Sequence, residues 1–487
     1  MKKNANRILI FIAIGAMLLC TKSSPLYPFN DWGDANIYFT MGKGMLNGQV
    51  PYRDLFDHKG PLIYALYGLA SLISSKSFLG VWILEIVAAF FFLLYSYKIL
   101  KLFCLDKAIT IMPIYAAVVY AANHMRHGGS AEELCLPFLV YGLYVLTKWV
   151  VKKERFCNKE LIFLGITSGC VLWIKYTMLG FYIGWIILPA ITMIYKKEYK
   201  ELFRIIRMIA VGVVLVTIPT LLYFLIHNSL GDLFTVYFYN NIFVYTGESV
   251  SFIEVIIRTL WNTLRAAGKN IFIFGFIVLG VVWLLLEKNY WLLVSLITCI
   301  GGMVLTVLTA ETVHGYYSMC FGVFGIFGIL ATWEALNVIY NKYVYKFIKP
   351  DNAIKILAVI STIGMFLFTY ITGYNSDFIL YNTEELPQYQ FAKIMNENDN
   401  PTLLNYGFLD GGFYTVADIS PSCKYFFEAN MDLDEMKIAQ KDMIEEGEVD
   451  FVVTFDEQYN WPKYKLIADA EFIMEGNNVT YYLYQLK

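Results

Sequence analysis

Stretches of nearly uninterrupted hydrocarbon recur along this chain, many of them close to the length needed to cross a bilayer. They leave few folds open to it. A helix of about 20 apolar residues spans the hydrocarbon core, and backbone polar groups in lipid must be satisfied within the segment. By that rule the spans fall at roughly 7–22, 78–102, 108–123, 134–151, 160–175, 177–195, 207–227, 270–287, 290–309, 316–338 and 353–373, about eleven in all. Composition agrees. Of 487 residues, 58% are hydrophobic and only 16% charged, against about 25% charged in a soluble protein. The chain therefore reads as a polytopic α-helical membrane protein. A net charge of −2 points to no nucleic-acid partner.

The basic start MKKNANR and the LLC ending at Cys20 imitate a signal peptide. Thr21 follows, however, and many spans come later, so this segment is expected to be the first span. Orientation follows from the loops MKKNANR, KILKLFCLDK, KWVVKKERFCNK, YKKEYKELFRIIR and YNKYVYKFIKPDNAIK, because Lys and Arg concentrate on the cytoplasmic side. With eleven spans, all five are cytoplasmic. Counting the shorter run 61–75 as a span would move four of the five outside, so that Pro-led run is expected to be re-entrant or interfacial. The outer face then holds loop 23–77, segments 123–133, 228–269 and 309–317, and the tail. The expected place is a plasma membrane, with the N-terminus cytoplasmic. The Lys-, Asn- and Tyr-rich composition suits a bacterium.

Two domains are expected: a membrane domain over 1–373, including outer loop 23–77, and a small extracytoplasmic α/β domain over 374–487. In the tail GFLDGG reads as a turn, EVDFVVTF as a strand and EANMDLDEMKIAQKDMIEEG as a helix. About 110 residues are enough to fold alone. The eight cysteines are scattered with no close pair, and only Cys423 lies in the tail, so no disulfide forms within it.

Four polar groups on the outer face could carry chemistry. Loop 31–61, DWGDANIYFTMGKGMLNGQVPYRDLFDHKGP, gathers Asp31, Asp34, Tyr38, Arg53, Asp57, His58 and Lys59. Asp34 either caps a short helix or serves a site. Lys59, just before an apolar segment, either snorkels or meets a lipid-carrier phosphate. In HMRHGGSAEELCLPF, Glu132 and Glu133 sit at a helix entry, where carboxylates are costly unless paired or wet. His124, Arg126 and His127 are candidate partners, and Ser130 with Glu133 has the form of a capping box. LWIKYTMLG places Lys175 and Tyr176 between two apolar runs. AETVHGYYSMC brings Glu311, His314, Tyr316 and Tyr317 to the start of a late span, where an aromatic belt would also explain the tyrosines.

The order of Asp34, Tyr38, Met45, Leu46, Gly48, Pro51, Lys59 and Pro61 resembles the first outer loop of GT-C glycosyltransferases. The resemblance is to the protein O-mannosyltransferase and lipid A aminoarabinose transferase branch, and its motifs cover about residues 7–200. It implies a GT-C-like membrane domain in which Asp34 is the catalytic carboxylate and Lys59 contacts the donor phosphate. Lys175 matches a lysine of the family, and either Glu132 or Glu133 matches its second outer acid. The family often has Asp-Glu where this chain has Asp34 followed by Ala35, so a second acid would come from elsewhere, for instance Asp31.

The function implied is transfer of a sugar from a polyprenyl-monophosphate donor to an extracytoplasmic acceptor: a glycan, a lipid or a protein. Asp34 would act as general base. Lys59 and Lys175, with Arg126 or His314, would stabilise the leaving phosphate. Direct displacement inverts the anomeric centre. Tyr38, Arg53, Asp57, His58, Tyr176 and Tyr317 would support the site. No cofactor is obligatory, although the nearby acids leave room for a divalent metal. Two other classes stay open. A flippase or transporter of lipid-linked sugars would more typically show inverted repeats. A surface-glycan polymerase or ligase would use a late outer loop such as 228–269, with Glu248, Glu254, Arg258 and Arg265.

Overall fold

The computed structural model describes residues 2–121, 124–244, 251–431, 433–474 and 477–487; Glu248 lies outside them. In chain order the helices begin with α1 (Lys2–Cys20), α2 (Gly33–Leu46), α3 (Pro61–Ser71), α4 (Leu79–Leu102) and α5 (Met112–Tyr120). Then come α6 (Ala131–Lys152), α7 (Asn158–Lys175), α8 (Gly180–Tyr195), α9 (Tyr199–Ile226) and the single turn α10 (Leu230–Leu233). The later ones are α11 (Phe252–Lys269), α12 (Ile271–Leu286), α13 (Tyr290–Val307), α14 (Ile326–Ile339) and α15 (Pro350–Thr372). The tail adds α16 (Pro387–Met395), β1 (Leu403–Asn405), α17 (Phe413–Ala417), α18 (Asp434–Glu446), β2 (Phe451–Phe455), β3 (Tyr464–Met474) and β4 (Asn477–Leu486).

Among the described residues, seven helices are long and apolar enough to cross a bilayer, or eight if α11 and α12, bent by 104°, count as one span. The protein is therefore a multi-pass membrane protein, but the expected count of eleven is not reached. Segment 108–123 holds a nine-residue α-helix after a 3-10 turn. The expected spans 160–175 and 177–195 form one helical run, 158–195. Lys175 interrupts that run, since its backbone is extended at φ −155°, ψ 92°. Helix α3 has 11 residues, a rise of about 16 Å, too short to cross. Helix α11 is amphipathic: Ser251 caps it, and Phe252, Ile256, Ile257, Leu260 and Leu264 form an exposed apolar stripe.

The chain resolves into two compact units. The first comprises 1–21, 84–219 and 249–376 and carries most of the long apolar helices. Its helices meet through small residues, as membrane helices do when backbones come close. At the crossing of α8 and α13, a Cβ on Gly180 would lie 2.2 Å from the Gly302 carbonyl oxygen.

The second unit comprises 22–83, 220–248 and 377–487. Outer-loop helices α2 and α3 cross where a Cβ on Gly42 would lie 2.4 Å from the Gly68 nitrogen. The tail forms a four-stranded sheet in the order β1-β2-β4-β3. Strands β1 and β2 are parallel, whereas β4 runs antiparallel to β2 and β3. Helix α18 packs Met443 and Ile444 onto Leu404, Val452 and Tyr484. The small α/β fold expected of the tail is thus present, with strand β2 and helix α18 where they were expected. The long β3–β4 pair was not anticipated.

Helix α2 is fixed to the tail by polar contacts within this unit. Thr40 donates to Asp410 at 2.7 Å, Thr415 to Asn36 at 3.2 Å, and Lys43 pairs with Asp418 at 2.5 Å. Burial pushes the Asp410 carboxyl up to about 6, against the opposing pull of the Gly412 N–H and Thr40. Asp418 is also pushed up by burial, but the hydrogen bond and charge of Lys43 outweigh this and hold it below the usual carboxylate range.

Candidate functional site

The sequence-selected residues fall into two clusters, one in each unit. In the second unit, α2 begins after Trp32, whose backbone is extended and whose side chain makes no cap. Asp34 is the second helical residue, in the first turn, where the helix dipole favours a carboxylate. One turn on, the Tyr38 hydroxyl donates to Asp34 Oδ2 at 3.3 Å. The Tyr38 ring is buried edge-on against Tyr67 of α3.

Residues 51–59 close into a tight loop. Tyr52 adopts φ 71°, a costly conformation for a bulky residue. It is held by its hydroxyl on the Lys59 carbonyl at 2.5 Å and by stacking on Phe224. Tyr64 of α3 donates to Asp57 Oδ2 at 2.7 Å, and Asp57 Oδ1 lies 3.5 Å from His58 Nδ1. His58 Nε2 is 3.0 Å from Lys59 Nζ. A lysine ammonium only donates, so Nε2 accepts and Nδ1 carries the hydrogen toward Asp57. Asn241 donates to the His58 carbonyl at 2.7 Å and fixes the backbone. Asp57, His58 and Lys59 are therefore one connected group.

Arg53 is not part of it. Its guanidinium turns to the neighbouring Asp54 and to the His227 carbonyl, and that hydrogen bond holds the Asp54 carboxyl below its usual range. Asp31 pairs with buried Lys22 at 2.6 Å, so its charge is already matched.

In the first unit, Ser130 caps α6 by accepting from the Glu133 N–H at 3.0 Å. Glu133 in turn accepts from the Gly129 N–H at 2.8 Å. The capping reading of that pair is thus realised, one residue off the usual box. Glu132 is buried and forms an ion pair with Lys175, and among the described residues its Oε2 has no hydrogen-bond partner. The Lys175 ammonium lies 3.7 Å from the ring centre of Tyr317. His314 stacks on Tyr316 with ring centres 5.6 Å apart. Tyr176 follows Lys175 in the 3-10 turn 176–179. Lys175, Glu132, His314, Tyr316 and Tyr317 thus come together around a helix interruption. His124 instead bonds to Asn270 and the Val119 carbonyl. Arg126 and His127 lie against Tyr374.

Glu85 escaped the sequence reading. It lies buried in α4 beside Glu133, and Thr21 donates to it at 3.1 Å. Among the described residues no three His, Cys, Asp or Glu side chains group as a metal site would need.

Residues 2–326 match the family model described as "Putative competence-induced protein Ccs4 N-terminal domain". The chain belongs to this Ccs4 N-terminal family. No curated protein matches it. Among solved structures it is similar to ArnT from Cupriavidus metallidurans bound to undecaprenyl phosphate, with TM-score 0.61, 10% identity and 97% of both chains covered. The apo state of the same protein matches with TM-score 0.61 and 8% identity, over 97% of this chain and 96% of that one. At such identity the likeness is one of fold, and this Ccs4-family chain has the ArnT-like GT-C fold that the loop motifs implied.

Proposed function

We propose that the protein is a glycosyltransferase that moves a sugar from a polyprenyl-monophosphate donor to an acceptor outside the cytoplasm. The observation that carries the reading is the partly buried Lys175 ammonium, paired with the buried Glu132 and lying over the Tyr317 ring at a helix interruption. A charge that deep is kept for a purpose. An ammonium has three donors and Glu132 takes one, leaving capacity for a phosphate oxygen. That a protein of this fold binds undecaprenyl phosphate supports the choice of ligand.

In this mechanism Asp34 removes the acceptor hydroxyl proton as that oxygen attacks the anomeric carbon. The bond from that carbon to the phosphate oxygen breaks, and the configuration inverts. The Tyr38 hydroxyl, donating at 3.3 Å, orients the Asp34 carboxyl in the first turn of α2 for that step. The departing phosphate takes the electron pair, and a cation balances its charge; Lys59 and Lys175, and after them Arg126 and His314, are each a candidate for that part. No step needs a metal. The distribution of the basic loops supports a cytoplasmic N-terminus and an external tail, and the composition supports a bacterial plasma membrane as the setting of this reading.

The test is turnover of a panel of short-chain polyprenyl-monophosphate sugars by purified wild type and Asp34→Asn. A general base contributes roughly 10²–10⁴-fold, so the variant should bind the donor and lose at least a hundredfold in rate. Full turnover by Asp34→Asn would remove its catalytic role. Failure of wild type to bind any monophosphate donor would remove the reading itself.

A further inference from the structure

The tail contains a cavity that the transfer step does not use. Its volume is about 480 Å³, and Tyr406, Glu428, Gln440, Asp456, Glu457 and Tyr459 line it. Small-molecule sites run to roughly 300–1,000 Å³. It lies at the carboxyl ends of the two parallel strands. Tyr406 follows β1 directly, and Asp456 and Glu457 follow β2. Open α/β sheets take their ligands at that end of the strands.

The walls are set by the backbone and by one buried amide. Gly407, at φ 79°, and Asp456, at φ 57°, turn the chain in the left-handed region. Gln440 of α18 is fully buried. It donates to the Asn405 and Tyr425 carbonyls at 3.3 and 2.9 Å and accepts from the Gly407 N–H at 3.4 Å. Tyr406 meets Tyr459 edge-on at 5.4 Å, and Tyr459 stacks on Trp461 at 4.8 Å. Both tyrosines are only partly buried, so ring surface remains accessible. The Tyr459 hydroxyl donates to Glu457. Burial, and then the charge of Glu428, pushes the Tyr406 phenol up, so both carboxylates act on the aromatic wall. Three acids face one lysine, Lys437, in the lining.

Aromatic surface suits the apolar face of a pyranose, and carboxylates accept from its hydroxyls. The excess of negative charge selects a sugar that is itself a cation, through charge-assisted hydrogen bonds and attraction to the rings. We propose that this cavity binds an amino sugar with a free amine, carried by the acceptor; only its role as acceptor rests on the transferase reading.

The experiment is calorimetric titration of the full-length protein in lipid nanodiscs with a glucosamine tetramer and with its fully N-acetylated counterpart. The free-amine tetramer should bind, and acetylation should weaken binding at least tenfold. Tyr459→Ala and Glu457→Gln should each do the same, and Glu457→Gln should leave the melting temperature unchanged. Equal binding of the two tetramers, binding indifferent to Glu457→Gln, or no binding would each overturn the proposal. Binding without turnover of any polyprenyl-monophosphate donor would sink the transferase reading and leave the cavity standing. Turnover without tetramer binding would do the reverse.

Discussion

Lys175 and Glu132 can each be picked out of the sequence as a charge where charge is expensive, but their pairing cannot. They are 43 positions apart, and only the packing of α6 on α7 brings them together. The pair also sets a trap for mutagenesis. Removing one partner of a buried ion pair costs about 3–5 kcal/mol, because the other is left uncompensated. Lys175→Met should therefore lower the melting temperature as well as donor affinity. The double variant Lys175→Met/Glu132→Gln should regain most of the stability and none of the affinity. Thermal unfolding and donor titration on the same samples check this, and normal donor binding by the double variant would take Lys175 out of the site. Glu85 was hidden for a related reason: one acid in a 24-residue apolar helix leaves the hydropathy pattern intact. Arg53 pairs with Asp54, its neighbour in sequence as in space, a contact that the sequence reading did not single out.

Asp410 makes a prediction about pH. Its carboxyl is raised from 3.8 to about 6 in the fold, so between these values the folded state holds the proton more tightly than the unfolded one. Stability from this group is present below about pH 4 and is lost as pH rises toward 6. At 1.36 kcal/mol per unit, the loss is at most about 3 kcal/mol. Asp410→Asn has no such loss, so the variant should gain on wild type between pH 4 and 7. Parallel denaturation curves at the two pH values measure that difference, and a constant gap would show that Asp410 is ionised in the fold at both.

Among the elements, α2 and α3 depend on a crossing so close that neither helix has room for a side chain there. Gly42→Leu would drive carbons into the Gly68 backbone. Overpacking of this kind costs typically 1–3 kcal/mol, and it would shift the helix that carries Asp34 and Tyr38. Loss of turnover with a lowered melting temperature is the expected result; an unchanged protein would mean the crossing can widen freely. The sequence showed both helices but not their contact. The β3–β4 pair was missed although its signal was present: GNN stands before VTYYLYQL, a run rich in strand formers. The eleven expected spans came from counting apolar length. That measure overlooks helices shortened by 3-10 turns, as at 106–120.

At the scale of the whole molecule, local pattern gave the membrane class and the α/β character of the tail. It did not show that outer loop and tail share one unit, because Thr40 with Asp410 and Lys43 with Asp418 are pairings across more than 300 residues. A fragment covering 374–487, although long enough to fold, would present Asp410 without Thr40 and Asp418 without Lys43. It should resist protease less well than the same segment in the full chain. Equal resistance would mean that the sheet and α18 suffice alone. The same arrangement sets a schedule for biogenesis. The outer-loop segment leaves the ribosome about 290 residues before the tail begins, a delay of roughly 15–60 s at ordinary rates of synthesis. Throughout that interval the polar groups of α2 that will meet the tail must be carried by water, lipid headgroups or a chaperone.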